Sequence, residues 1–212
     1  MSLDSFNASP HPASAAGTDL AAVAAAAAGC ELCKLSAGRT QVVFGVGRPD
    51  ADLLFVGEGP GEQEDLKGEP FVGRAGQLLT QLIEGIELTR DDVYIANVVK
   101  CRPPGNRDPQ PDEIEACAPW LDRQLALIQP RVIVTLGNFA TKLLLDTKEG
   151  ITKLRGKEFA FERAGIHAAL LPTFHPSAVL RSGGKALAES RADFVRVKRV
   201  LARSIAAAPA SG

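Results

Sequence analysis

Residues 131–145 read RVIVTLGNFATKLLL, and the fold follows from how this stretch divides. After Arg131 its next five residues are mainly apolar and mostly β-branched, and the run 131–136 stops at Gly137, which is the profile of a short strand buried on both faces. The remainder, 138–145, has helical spacing and starts directly after that glycine, so a strand passes into a helix with no linker. Three more runs share the strand profile: 52–56 (DLLFV), 93–99 (VYIANVV) and 168–174 (AALLPTF). Residues 41–46 offer an additional edge strand. Helical segments alternate with these runs. Residues 75–86 place Leu78, Leu79, Leu82, Ile83 and Ile86 on one side. Residues 112–128 do the same with Ile114, Leu121, Leu125 and Ile128 behind a first-turn Pro111. Residues 190–205 direct Phe194, Val197, Leu201 and Ile205 inward, with Arg191, Arg196, Lys198, Arg199 and Arg203 mostly outward. The alternation predicts an α/β fold: a three-layer α/β/α sandwich with a central, mainly parallel four-stranded sheet.

A chain of 212 residues suits one such domain rather than two, and no internal repeat divides it. The expected domain spans 18–205, between aperiodic tails at 1–17 and 206–212 that read as disordered. No apolar run reaches membrane-spanning length. Residues 20–28 are apolar, but Asp4 and Asp19 stand where a signal peptide would carry basic residues, so they read as a helix stopped by Gly29. The expected setting is cytoplasmic, the expected state monomeric, and the four cysteines are not expected to form disulfides. The formal charge of −1 signals no nucleic-acid partner by itself. Its distribution is uneven: residues 1–70 hold four basic and ten acidic side chains, residues 71–212 twenty and fifteen. A basic face carried by the later segments would suit a polyanion; two solvated faces that differ by chance would look the same.

In a parallel sheet, ligands bind beyond the carboxyl ends of the strands, and here each main strand ends in an unusual loop. The first runs into Gly57-Glu58-Gly59-Pro60-Gly61, the second into residues 100–107 (KCRPPGNR), the third into Gly137-Asn138 and the fourth into His175-Pro176-Ser177. The spaced glycines let backbone approach a ligand, but they match neither a dinucleotide fingerprint nor a P-loop. Glu62, Glu64 and Asp65 form an acidic cluster, ordinarily a solvated surface, in which a buried member could orient a water. Phe71, in the segment PFVG, is either a core plug or a platform on which a flat heterocycle stacks. Asn97 is a polar amide in an apolar strand. It is either a structural amide or a reader of a ring edge that presents an acceptor beside an N–H. Uracil has that edge. His175 stands where an imidazole could face a developing anion, whereas His11 falls in the tail and His167 in the turn before the last strand. The loop after His175 combines an apolar tip with Arg181, a pairing suited to wedging a base stack while meeting a phosphate.

All the cysteines enter one further pattern: Cys30 and Cys33 as C-x2-C, then Cys101 and Cys117 as C-x15-C. Four thiolates suit tetrahedral zinc or a [4Fe–4S] cluster. Zinc ribbons usually offer two close pairs, and one close pair tilts the spacing toward the cluster.

Taken in order, GEGPGEQED, PFVG, VYIANVVKCRPPGNRDP, Cys117 and HPSAVLR resemble the family 4 uracil-DNA glycosylases, the iron–sulfur branch of that superfamily, from about Cys30 to Val200. The resemblance implies a monofunctional enzyme that flips uracil out of single- or double-stranded DNA and hydrolyses its N-glycosidic bond, leaving an abasic site. It implies a structural [4Fe–4S] cluster on Cys30, Cys33, Cys101 and Cys117, and a uracil pocket lined by Gly57, Glu58 and Gly59. It gives Phe71 the role of stacking on the base, Asn97 that of pairing with its O4/N3 edge and His175 that of stabilising the departing anion. Glu64 falls on an acid that assists catalysis in the family, and Ser177, Leu180 and Arg181 would enter the duplex. Gly59 occupies the position where other branches carry a water-orienting aspartate, which leaves that role to Glu58 or Glu64. Residues 102–109 lack the histidine with which a related group captures DNA covalently, so turnover is expected. Two other readings are a catalytically weak damage-binding module of the same fold and a zinc-stabilised α/β binding domain.

Overall fold

The computed structural model describes residues 20–207. Its centre is a six-stranded mixed sheet of order β1-β3-β2-β4-β6-β5, built from β1 (Val46–Gly47), β2 (Leu53–Gly57), β3 (Tyr94–Asn97), β4 (Val132–Leu136), β5 (Phe159–Arg163) and β6 (Ile166–Thr173). The four central strands are parallel; β1 and β5 run antiparallel along the two edges. The expected four-stranded sheet is therefore corrected to six strands. Both additions are edge strands: the one offered at 41–46 is met only at Val46, and the other was not offered. β1 has two residues and two pairings, leaving 41–45 outside the sheet apart from Val43 N–H, which donates to the Lys100 carbonyl. β5 buries only Phe161, so no apolar alternation marks it. It joins β6 through Ala164 and Gly165, both at positive φ, a hairpin turn without the usual Asn-Gly signature. His167 is corrected by the same hairpin: it lies within β6 opposite Glu162, not in a turn.

Alternate strand residues feed two cores, as a pleated strand requires. Leu54, Val56, Ala96, Ile133 and Leu170 pack under α1 (Leu20–Ala28), α4 (Pro111–Ile128) and α5 (Asn138–Leu144). Leu53, Phe55, Ile95, Val134 and Leu171 pack under α3 (Arg74–Glu84), α7 (Pro176–Ser182) and α8 (Gly184–Ala206). Two short helices, α2 (Glu62–Lys67) and α6 (Ile151–Leu154), complete the set. The expected inward faces of 75–86 and 112–128 are buried or partly buried as read. In α8 the inward set holds except for Ile205, 47% exposed; the last turn faces solvent, with Ala202, Arg203 and Ala206 exposed around it. The segment read as a loop after His175 is the helix α7, since Pro176 sits at its first position and the His175 side chain caps it. No helix among the described residues is long and apolar enough to cross a membrane. The expected tails, 1–17 and 206–212, lie outside the described residues except for Ala206 and Ala207.

The chain leaves β2 for β3 on one side and reaches β4 on the other, so the order reverses beside β2. A crevice opens at such a switch point, outside the carboxyl ends of the strands.

Candidate active site

A cleft of about 650 Å³ occupies that crevice, lined from β2 by Glu58 and Gly59, from β3 by Asn97, from β4 by Leu136 and Gly137, and from β6 by His175. Glu64, Phe71, Ser177 and Arg181 also line it. Of the expected site residues, Gly57 stands behind the cleft and Leu180 outside it, 44% exposed on α7.

Gly57 and Asn97 are register partners at the ends of adjacent parallel strands. A Cβ on Gly57 would collide with Asn97 Oδ1 and come within 2.7 Å of the Phe71 ring. The missing side chain therefore makes room for both. Asn97 is 2% exposed, and its Oδ1 has no hydrogen-bond partner. A buried acceptor left unpaired costs about 1–3 kcal/mol, so a donor supplied at this point from the cleft would recover that loss.

Phe71 has φ of 55°, a left-handed conformation that is strained for an aromatic residue and held only by its surroundings. The bracing is visible on both sides of it. Arg90 donates to the Pro70 carbonyl at 2.9 Å and the Phe71 carbonyl at 3.3 Å. Glu64 Oε1 accepts from Val72 N–H at 2.9 Å and Gly73 N–H at 3.1 Å. The acidic cluster read as a solvated surface is thus the helix α2, and its members divide. Glu62 is exposed, Glu64 holds the Phe71 loop, and buried Asp65 accepts from Thr40 N–H.

The Phe71 and His175 rings stand 5.7 Å apart at 35°. His175 Nδ1 accepts from Ser177 N–H at 3.2 Å and lies 2.7 Å from Ser177 Oγ. A backbone N–H can only donate, so the proton of the neutral ring sits on Nε2. Burial, reinforced by the nearby Arg181 charge and opposed by Glu64, lowers the His175 pKa to about 4. The ring is a neutral N–H donor at ordinary pH. Behind it, Gly137 holds φ of +95°, and a Cβ there would meet His175 Cβ at 2.8 Å.

Glu58 shows the opposite shift. Burial first, then the charge of Asp108 and a hydrogen bond with it, raises its pKa to about 7. Asp108 lies in the loop after β3 and was not singled out from the sequence, although that loop was; nothing in its local pattern marks one acid among the polar residues there. The loop is anchored by Arg107, which donates to both carboxylate oxygens of buried Glu113 at 2.8 and 2.5 Å and, as the first cause, lowers the Glu113 pKa to about 2. Arg102 Nε fixes Asn106 Oδ1 at 2.8 Å.

The four cysteines are free thiols, and together they line one enclosed space under α1 and α4. Burial is the largest cause raising the pKa of Cys33, Cys101 and Cys117, the last to about 12. Thiols raised in this way become thiolates when a cation stands among them. N–H groups already point at three of the sulfurs: Lys100 N to Cys117 at 3.3 Å, Trp120 Nε1 to Cys30 at 3.3 Å and Arg39 to Cys101 at 3.5 Å. This donor set fits a bound four-thiolate group.

Residues 44–202 match the uracil-DNA glycosylase superfamily. Three relatives are more specific. The type-4 uracil-DNA glycosylase of Sulfurisphaera tokodaii is 52% identical over 156 residues, 71% of either chain. That of Archaeoglobus fulgidus is 49% identical over 155 residues, covering 71% of this chain and 78% of the relative. This chain belongs to the type-4 uracil-DNA glycosylase family. The type-4 enzyme of Thermotoga maritima is 50% identical over 154 residues, covering 72% and 79%. The cleft described above lies wholly within this family's matched region.

Proposed function

We propose that this type-4 family member removes uracil from DNA by hydrolysing its N-glycosidic bond. The observation that carries the reading is the unpaired, buried Asn97 Oδ1 beside the Phe71 ring. A flat base stacked on Phe71 would offer its N3–H to that oxygen and accept at O4 from the same amide, whereas cytosine presents a bare N3 and a donor. The cleft's depth at the strand ends demands that the base leave the stack.

As the bond breaks, negative charge builds on uracil and positive charge on the sugar. The neutral His175 Nε2–H donates to the anion's O2 without first gaining a proton, so it needs no protonation step. Glu58, paired with Asp108, orients the attacking water once ionised, and its charge favours the cationic sugar. Glu64 acts chiefly on Phe71, because one of its oxygens is committed to that loop. On single- or double-stranded DNA Arg181 meets a phosphate at the rim, and in a duplex exposed Leu180 enters the space left by the flipped base. No lysine is among the cleft-lining residues, so no Schiff base forms, and the strand stays uncut until alkali is added.

Cys30, Cys33, Cys101 and Cys117 would hold a [4Fe–4S] cluster. The support is the four cysteines around one space and the single close C-x2-C pair, where a zinc ribbon usually offers two. Reduced thiols also suit a cytoplasmic setting.

Asn97→Asp tests the reading. A carboxylate facing O4 is expected to cut single-turnover uracil excision at least about 100-fold with little change in thermal unfolding. A loss of stability with excision preserved would make Asn97 a structural amide and overturn the proposal.

A further inference from the structure

Lys100 is 1% exposed, among the most buried side chains in the protein. A lone buried ammonium costs several kcal/mol unless an anion offsets it. Its Nζ donates to the Asn97 carbonyl at 2.8 Å and to Gln124 Oε1 at 2.5 Å, both neutral acceptors. Burial pulls its pKa down to about 8, against the pull of Cys117 and Asp122 toward the cation, and Asp122 is already bound by Arg163 at 2.6 Å. What remains is sulfur. The Lys100 backbone N–H also points at Cys117 Sγ. Arg39 lines the same cysteine space. Its guanidinium donates to the Cys30 carbonyl and reaches Cys101 Sγ at 3.5 Å. Among the described residues its hydrogen-bond partners are these and the Ala28 carbonyl, and none is a carboxylate.

Two cations, neither hydrogen-bonded to a carboxylate among the described residues, thus line the same space as the four cysteines. The charge count gives this arrangement its meaning. Four thiolates around divalent zinc, or around a [4Fe–4S] cluster in its doubly positive state, carry two negative charges in excess. Two cations neutralise them.

We propose that Arg39 and Lys100 are the counter-cations of the four-thiolate centre, and that Lys100, through the Asn97 carbonyl, ties that centre to the strand that reads uracil. The inference rests on the metal-centre reading given above. It makes both residues positioning residues, because neither touches the substrate. The network continues from Lys100 to Gln124, whose Nε2 donates to the Phe44 carbonyl at 2.8 Å and to Tyr94 Oη at 3.3 Å. The ammonium is therefore held at the end of β3 by a residue that also lines the cysteine space.

The test uses the anaerobically purified full chain. Elemental and sulfide analysis of the native protein identifies its metal first; a metal-free protein would sink the metal-centre reading itself. Release of the bound metal to a chelator is then timed in Arg39→Gln, Arg39→Lys and Lys100→Met. The two neutral variants are expected to release metal about tenfold faster, and Arg39→Lys close to the native rate, since it keeps the charge while losing the guanidinium's hydrogen bonds. With an iron–sulfur cluster, both neutral variants also shift its midpoint potential to more negative values, because reduction adds charge no longer balanced. Equal release rates and potentials in native and neutral variants, with metal present, would overturn the counter-cation role. So would a Lys variant at position 39 that behaves like the Gln variant. The Arg39 pair decides this even if Lys100→Met fails to fold. For the tie to Asn97, Lys100→Met should weaken inhibition by free uracil about tenfold, while Arg39→Gln leaves it unchanged; unchanged inhibition in folded Lys100→Met would overturn that half.

Discussion

Two ionisable groups face the cleft with their proton affinities moved in opposite directions, and both shifts have visible causes. Glu58 is raised to about 7 by burial and by Asp108; His175 is lowered to about 4 by burial and by Arg181. If ionised Glu58 orients the water and neutral His175 supports the leaving anion, the single-turnover rate rises with pH through about 7. Glu58→Gln should be slow and flat across that range. A rate profile that ignores pH between 6 and 8 in the native protein would exclude Glu58 from the step (pH values about the shifted pKa). His175 also enters stability. The unfolded ring gains its proton near 6.5 and the folded one only near 4, so the stability it contributes is complete above about 6.5 and is lost as pH falls toward 4. At the scale of single residues the sequence was informative where a polar group interrupts an apolar pattern, as at Asn97 and His175. It was silent on Asp108, whose meaning comes only from a neighbour fifty residues earlier in the chain, and on the division of labour between Glu58 and Glu64.

Among the elements, α7 is the one whose character changes the chemistry. As a helix capped by His175, it gives the imidazole and the rim residues one rigid frame, so the wedge and the anion-stabilising group move together. Leu180 is exposed on that frame and contributes little to the core. Leu180→Ala should leave thermal unfolding nearly unchanged, within about 0.5 kcal/mol for an exposed site. It should slow excision from duplex about tenfold while barely affecting single strands, because only the duplex must be held open. Equal losses on both substrates would remove Leu180 from the wedge. The central strands and large helices were legible because each carries its own period, such as 131–136 or 75–86. The edge strands β1 and β5 were not: one is two residues long, and the other buries a single phenylalanine. Their pairing is decided by neighbours rather than by their own residues.

Over the whole molecule, a metal centre on the four cysteines would connect parts that the sheet alone leaves separate: the segment after α1, the loop leaving β3 and the middle of α4. Stripping the metal should loosen residues 20–39 first, seen as faster amide exchange there, and lower the thermal midpoint. Because burial raises the pKa values of Cys33, Cys101 and Cys117, a metal would displace protons on binding, and its release should speed up as pH falls. An unchanged thermal midpoint after complete metal removal would contradict a structural role for the centre. The charge asymmetry along the chain, acidic before residue 70 and basic after it, fits this organisation only in part, since Arg107 and Arg155 spend their charges on Glu113 and Asp193 rather than on a partner.

The central claim is excision of uracil, and an end-labelled oligonucleotide carrying one uracil tests it most directly. Incubated with metal-loaded protein and then treated with alkali, the strand should break at the uracil position, with free uracil released, and it should stay whole if alkali is omitted. A strand that survives alkali intact, even while the protein binds it, would contradict the account and make the cleft a site of recognition alone.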